Sequence, residues 1–325
     1  MIPRRALALA AFLGALLAGE MGSADGATPG LPLVSPAPAG PAGGGITGLV
    51  RNGTTGQPTP GVLIQLVLIG PQGPQVAAET RSDARGQFAF RGLVDGRYLL
   101  QARYQGVSYA THAVLSGGAA ADVVVQVFDA SPSVPLRLGL LGVAVDVRAG
   151  YVRVSEVAHL QNPTTRTLLG EVVIPLPRGG RYVTFLEGFH QPRARDAQIA
   201  DRLIVRPGGH QLAYAYSLPG SGEVSLDRRL VWPTDRVEVF VTAPAEARSP
   251  RLQPMPAVTN EEGRTFTRAS GRAVPPGDLP ISVIGVPDAR LWTAPAAAGT
   301  LAVVLTVGLM WAIRRAGVVT GAQNP

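Results

Sequence analysis

The 325-residue chain contains no cysteine. Disulfides, thiolate nucleophiles and Cys-ligated metal sites are therefore excluded, and its domains must be held together by apolar burial alone. Lysine is also absent, because all 29 basic residues are arginine. No physical function requires lysine to be missing everywhere, so we read this as a coding bias. Histidine is scarce, with His112, His159, His190 and His210 sitting singly. Serine nucleophile-elbow spacing is missing too; the nearest candidate, Ser221 in Pro219-Gly220-Ser221-Gly222, reads as a hairpin turn. Gly43, Gly45 and Gly48 have the spacing of a dinucleotide fingerprint. They follow a proline-rich stretch and open a strand, whereas that motif works only ahead of a helix N-terminus. No catalytic, cofactor-binding or metal-ligating residue is assigned, no cofactor is expected, and the chain does not read as an enzyme.

Charge is absent from residues 291–313 (LWTAPAAAGTLAVVLTVGLMWAI), which are followed at once by Arg314 and Arg315. Roughly 20 apolar residues cross a bilayer core, so this run reads as a transmembrane helix. The arginine pair predicts that the tail, 314–325, is cytoplasmic and the bulk of the chain extracytoplasmic. At the other end, Arg4 and Arg5 precede an apolar run over 6–18 and small residues at Gly22 and Ala24, the three-part pattern of a signal peptide over 1–24. The expected location is a bacterial cytoplasmic (inner) membrane, single-pass, with the N-terminal bulk periplasmic. Whether the signal is cleaved stays open. The net charge of +7 is thinly spread: residues 46–130 carry six arginines against five acids, and 134–290 nineteen against fifteen. The rest lies in the two ends, where it has topological work, so a nucleic-acid partner is not expected.

Gly 40 and Pro 29 signal many turns and few long helices. Residues 25–45 are Pro/Gly-rich, lack an apolar period and read as a linker. From 46 to 130 short alternating runs are divided by turn residues. Val62, Ile64, Leu66 and Leu68 share one strand face; Asp83 and Gly86 make a tight turn after which Phe88 and Phe90 re-enter on one face; Gly92 and Gly96 make another, leading into Tyr98, Leu100, Ala102 and Tyr104. The order GLVRN..TGQPTPGVLIQL, then TRSDARGQFAFRGLVDGRYLLQARYQG, with its D-x-x-G-x-F and G-L-x-x-G-x-Y spacings, resembles the carboxypeptidase regulatory-like domain over about 85 residues. The resemblance implies a transthyretin-like, seven-stranded β-sandwich, grouped also with starch-binding-like folds, that serves as an appendage without peptidase activity. A zinc peptidase would need a His-x-x-Glu pair and a distant His. The near miss, Glu156 with His159, is reversed in order, and in a strand over 151–160 a separation of three puts the two on opposite faces.

Residues 134–288 form a second β unit. Val143/Val145/Val147, Leu168/Val172/Ile174, Leu212/Tyr214/Tyr216/Leu218 and Val237/Val239/Val241 alternate with polar partners, and prolines punctuate strand ends. An immunoglobulin-like sandwich is expected, with 264–269 and 279–286 as closing strands or as a membrane-proximal stalk. The fold class is thus all-β: two tandem β-sandwiches, transthyretin-like then immunoglobulin-like. The segment 188–206 reads as an exposed loop carrying Arg193, Arg195, Arg202 and Arg206. It is either a receiver for an anionic partner or a solvated arginine face interrupted by Asp196 and Asp201. Trp232 is the one tryptophan outside the membrane segment, and its neighbours Val231 and Pro233 favour burial. Two functions of different class stand open. One is a non-catalytic, anchored envelope protein that binds another envelope protein, with the arginines as partner-binding residues. The other is a glycan-binding module, which would call on Trp232.

Overall fold

The computed structural model describes residues 44–70, 73–117 and 121–289. The segments expected to be a signal peptide (1–24), a transmembrane helix (291–313) and a cytoplasmic tail (314–325), with all but the last two residues of the 25–45 linker, lie outside the described residues. Among the described residues, no helix is long and apolar enough to cross a membrane. The architecture is all-β, with sheets packed as sandwiches.

The first seven strands are β1 (Gly44–Asn52), β2 (Leu63–Gly70), β3 (Gly73–Arg81), β4 (Gln87–Leu93), β5 (Gly96–Tyr104), β6 (Val107–Leu115) and β7 (Ala121–Val127). They form a three-stranded sheet, β4-β1-β7, facing a four-stranded sheet, β3-β2-β5-β6. Gly44 and Gly45, read as linker, already belong to β1. Period-2 alternation sends Ile46, Val50, Ile64, Leu66, Phe88, Phe90, Leu100 and Val125 into the space between the sheets. Gly48 on the central strand β1 stands in register with Phe88 on β4 and Val123 on β7. A Cβ there would lie 2.1 Å from the Val123 carbonyl oxygen and 2.5 Å from the Phe88 ring, so only glycine leaves room for that ring.

The remaining strands are β8 (Ala130–Ser131), β9 (Arg137–Arg148), β10 (Tyr151–Asn162), β11 (Thr167–Pro175), β12 (Arg181–Glu187), β13 (Arg193–Arg195), β14 (Gln198–Val205), β15 (Gly208–Pro219), β16 (Gly222–Ser225), β17 (Arg228–Leu230), β18 (Thr234–Thr242), β19 (Glu246–Arg248), β20 (Gln253–Thr259), β21 (Thr265–Val274), β22 (Gly277–Leu279) and β23 (Ser282–Val286). One broad sheet, β12-β15-β10-β9-β18-β21-β20, makes a layer. Facing it are three smaller sheets, β13-β14-β11-β8, β16-β23-β19 and β17-β22. Valines and leucines of β9, β10, β15 and β18 meet those of β11, β14 and β23 between the layers. This is a wider arrangement than the four- and three-stranded sheets of an immunoglobulin-like sandwich. The expected closing segments are strands within it: β21 lies between β18 and β20, and β23 between β16 and β19, so neither is a free stalk. Ser221 does not sit in a hairpin either. β15 and β16 belong to different sheets, and the Gly220-Ser221 bend carries the chain across the sandwich.

The two bodies dock directly. β8 pairs in parallel with β11, and Leu169 and Ile204 pack against the first core. The Tyr109 hydroxyl meets Thr167 Oγ1 at 2.9 Å and donates to the Phe128 carbonyl at 2.8 Å, while Asn52 Nδ2 and the Tyr104 hydroxyl both donate to Asp129 Oδ1.

Candidate functional site

The residues singled out in the first sandwich hold turns. Asp83 Oδ1 accepts from the backbone N–H of Arg85 and Gln87, both at 2.8 Å, and Gly86 closes the turn at φ 76°. Beyond it, Phe88 and Phe90 are buried edge to face, with centroids 6.1 Å apart. Gly92, at φ 69°, leads to Gly96 and to Tyr98, whose hydroxyl donates to the Val94 carbonyl at 2.7 Å. Burial raises the Tyr98 pKa.

Within the segment 188–206, residues 193–205 form a hairpin rather than a loop. β13 and β14 are joined by Asp196 and Ala197, both at positive φ, as a two-residue primed turn requires. Strand period then sorts the side chains. Asp201 points inward, buried, and accepts from the backbone N–H of His190 and Gln191 at 2.8 Å each. It therefore does not interrupt the arginine face. Arg193, Arg195 and Arg202 all lie exposed on the outward face of the β8–β11–β14–β13 sheet, and none is in an ion pair among the described residues. Glu171 stands across from Arg202, and Val173 across from Ala200. Arg206 is separated from them: it donates to the Ser108 carbonyl at 2.6 Å and lies over the Tyr109 ring at 5.6 Å, bracing the junction between the sandwiches. Trp232 is half-buried against the second core.

Sequence reasoning missed a cluster inside the second sandwich. Glu156 on β10 is fully buried, and its carboxylate accepts from the hydroxyls of Tyr214 (2.7 Å) and Tyr216 (2.6 Å) and from Nη1 of buried Arg228. Arg228 Nη2 also reaches Pro175 O, and its Nε finds no acceptor. Desolvation raises both tyrosine pKa values and lowers Arg228 to about 10, so the guanidinium stays charged at neutral pH. With every group sealed from solvent, this is a device that fixes packing. Its signal was a carboxylate in phase with the apolar positions Val152, Val154, Ala158 and Leu160.

His159 points to the opposite face from Glu156. Its Nε2 is buried without a partner among the described residues, and desolvation lowers its pKa against a smaller raising pull from Glu187. His210 Nε2 contacts the Gly188 carbonyl, while His112 and His190 are exposed elsewhere. Among the described residues no group of three or more His, Asp or Glu side chains is placed to hold a metal ion.

The seven-stranded first sandwich, with its Asp83–Phe88 turn and Gly92–Tyr98 return, decides the family relation of that part of the chain. Residues 45–128 match the carboxypeptidase regulatory-like domain. The carboxypeptidase regulatory-like domain is a non-catalytic domain type. No curated protein matches the chain. Among solved structures, the chain is similar to an M1 zinc metallopeptidase from Deinococcus radiodurans at 14% identity and TM-score 0.32, covering 47% of this chain and 43% of that one. It is also similar to the pilus 2b backbone protein of group B streptococcus at 18% identity and TM-score 0.20, covering 26% of this chain and 41% of that one. The chain thus spans less than half the length of either protein, and likeness at this level speaks to neither activity nor partner.

Proposed function

We propose that this is a non-catalytic protein held at a bacterial cytoplasmic membrane by a helix over 291–313, with its bulk on the extracytoplasmic side after export by the 1–24 signal. There it binds an envelope protein of acidic surface. The observation that carries the reading is the outward face of the β8–β11–β14–β13 sheet. The end of that face nearest β8 is covered by the carboxypeptidase regulatory-like domain through Leu169 and Ile204. The other end leaves Arg193, Arg195 and Arg202 exposed, without ion pairs among the described residues. Three guanidinium groups on one strand pair can each take a carboxylate in a two-point hydrogen bond, and β13, three residues long, is the edge of its sheet.

Two measurements test this. Reporters active on one side of the membrane, fused at Pro325 and after Ala130, should report opposite sides; cytoplasmic activity at the Ala130 fusion contradicts the topology. Charge reversal at Arg193 and Arg195 should weaken capture of the partner from solubilised membranes, more at low than at high salt, because exposed charges are screened within about 10 Å at 0.1 M salt. Trp232-dependent glycan binding with no protein crosslinked would favour the carbohydrate alternative.

A further inference from the structure

We infer that a concavity on the outer face of the broad sheet, at the end where the chain leaves the second sandwich, is a binding site for the phosphate headgroup of an anionic phospholipid. Its volume is about 610 Å³, and Tyr151, Arg153, Arg181, Tyr182, Thr184 and Ser217 line it. Arg153 on β10 and Arg181 on β12 both pair in register with Ser217 on β15. The two arginines therefore stand in one row, two strand spacings or roughly 10 Å apart, with a hydroxyl between them. The next row, Thr184, Ala215 and Ser155, is small, which lowers the floor. Among the described residues neither arginine has an ion-pair partner. The carboxylate that continues the row, Asp146 opposite Arg153, is taken by Arg148 at 2.8 Å. Two guanidinium groups and a hydroxyl lining one concavity suit the oxygens of a phosphate.

The rim indicates where that phosphate comes from. Tyr182 is 83% exposed and holds φ 55°, an uncommon backbone for a bulky residue, and Tyr151 is 43% exposed. Exposed tyrosines beside arginines are the pattern of a membrane interface. The wall residue Gly150 donates its N–H to the Pro287 carbonyl at 2.8 Å and packs against Ala289. The uncharged run begins at Leu291, two residues on, a reach of at most about 7 Å. The inference rests on the membrane anchor proposed above, which would bring this end of the sandwich to the lipid surface.

The test uses the full chain purified in detergent, with phosphatidylglycerol and phosphatidylcholine added in equal amounts and retained lipid read by native mass spectrometry. The wild-type chain should prefer phosphatidylglycerol. The Arg153→Gln, Arg181→Gln double variant should lose that preference by about twenty-fivefold, roughly fivefold per arginine. Arg153→Lys with Arg181→Lys should keep most of it, and Arg85→Gln with Arg91→Gln, exposed on the first sandwich, all of it. A photoreactive phosphatidylglycerol should label peptides containing residues 151–153 or 181–184 of the wild-type chain, a readout independent of any variant's folding. Unchanged preference in the Gln variant, labelling elsewhere, or displacement of the lipid by an equal concentration of inorganic phosphate would overturn the inference. Release of the chain from membranes by alkaline carbonate would instead overturn the anchor and the headgroup site with it. Retention in carbonate with an unchanged Gln variant removes the headgroup site alone.

Discussion

In the carboxypeptidase regulatory-like sandwich the buried polar side chains are small, Asn52, Thr59 and Ser82, and sit beside turns. The second sandwich buries Glu156 and Arg228 between its layers, and buries Asp201 on β14 and Glu238 on β18 as well. Ser82 shows the first pattern: its hydroxyl donates to the Thr59 carbonyl at 2.8 Å and accepts from the Val62 N–H at 2.9 Å, so it completes a backbone network that the turns leave open. Glu156 answers to no turn. It joins residues 58, 60 and 72 positions away, and what it fixes is how the broad sheet sits on the smaller ones. One core takes its buried polar groups from the residues beside its turns, Asn52 even bridging from there to Asp129, 77 positions on. The other is specified at long range by a charge that tolerates a single partner arrangement.

The largest break in this contrast should come from Glu156→Leu, which leaves Arg228 charged, buried and unpaired. We expect a loss of about 4 kcal/mol in urea unfolding of the full chain, of which the Glu156→Leu, Arg228→Leu double variant recovers more than half. Additive losses in the double variant would mean that the pair is not a unit. Gly86→Ala tests the first sandwich in its own terms. The new Cβ would lie 2.9 Å from the Val50 carbonyl oxygen, the Thr59 N and the Pro58 Cβ, at φ 76°, so the expected loss is about 2 kcal/mol. Hydrogen exchange should localise that loss to β1 and β4, leaving β10 protected. Tyr109→Phe removes the hydroxyl shared by Phe128 and Thr167 across the junction, and should cost about 1 kcal/mol while loosening the bodies relative to each other.

Smaller still is a pH effect confined to the second body. The His159 pKa is lowered in the folded chain, so below about 6.5 the unfolded chain takes up a proton that the folded chain refuses. This contribution to stability is complete above about pH 6.5 and is lost as pH falls through the lowered value. His159→Gln should flatten that slope, which urea midpoints at pH 5.5 and 7.5 would reveal. Arg193→Glu with Arg195→Glu should change stability by no more than about 0.5 kcal/mol, since both side chains are exposed.

The same contrast governs what could be read in the sequence. Asp83, Gly86, Gly92 and Gly96 act within a few residues of themselves, so the turns and strand faces of the first sandwich follow from local spacing. Leu212, Tyr214, Tyr216 and Leu218 likewise declare their inward face, and all four are buried. Where a polar residue takes an inward position the alternation breaks, and the reading breaks with it. Asp201, between Ile199 and Leu203, made a strand look like a loop, and Glu156 hid inside an apolar face. The Arg153–Ser217–Arg181 row was illegible for another reason, because its members come from three strands whose register no local pattern fixes.

The central claim is that an anchored, extracytoplasmic protein docks a partner through the outward arginine face of its second sandwich. It is tested most directly by a photoreactive residue placed at Arg195 in intact cells, compared with one at exposed Val124 on β7 of the first sandwich. We predict a discrete protein adduct from position 195 and none from position 124, with the adduct lost when Arg193 and Arg202 are reversed to glutamate. No protein adduct at 195, or one indifferent to those reversals, would contradict the account.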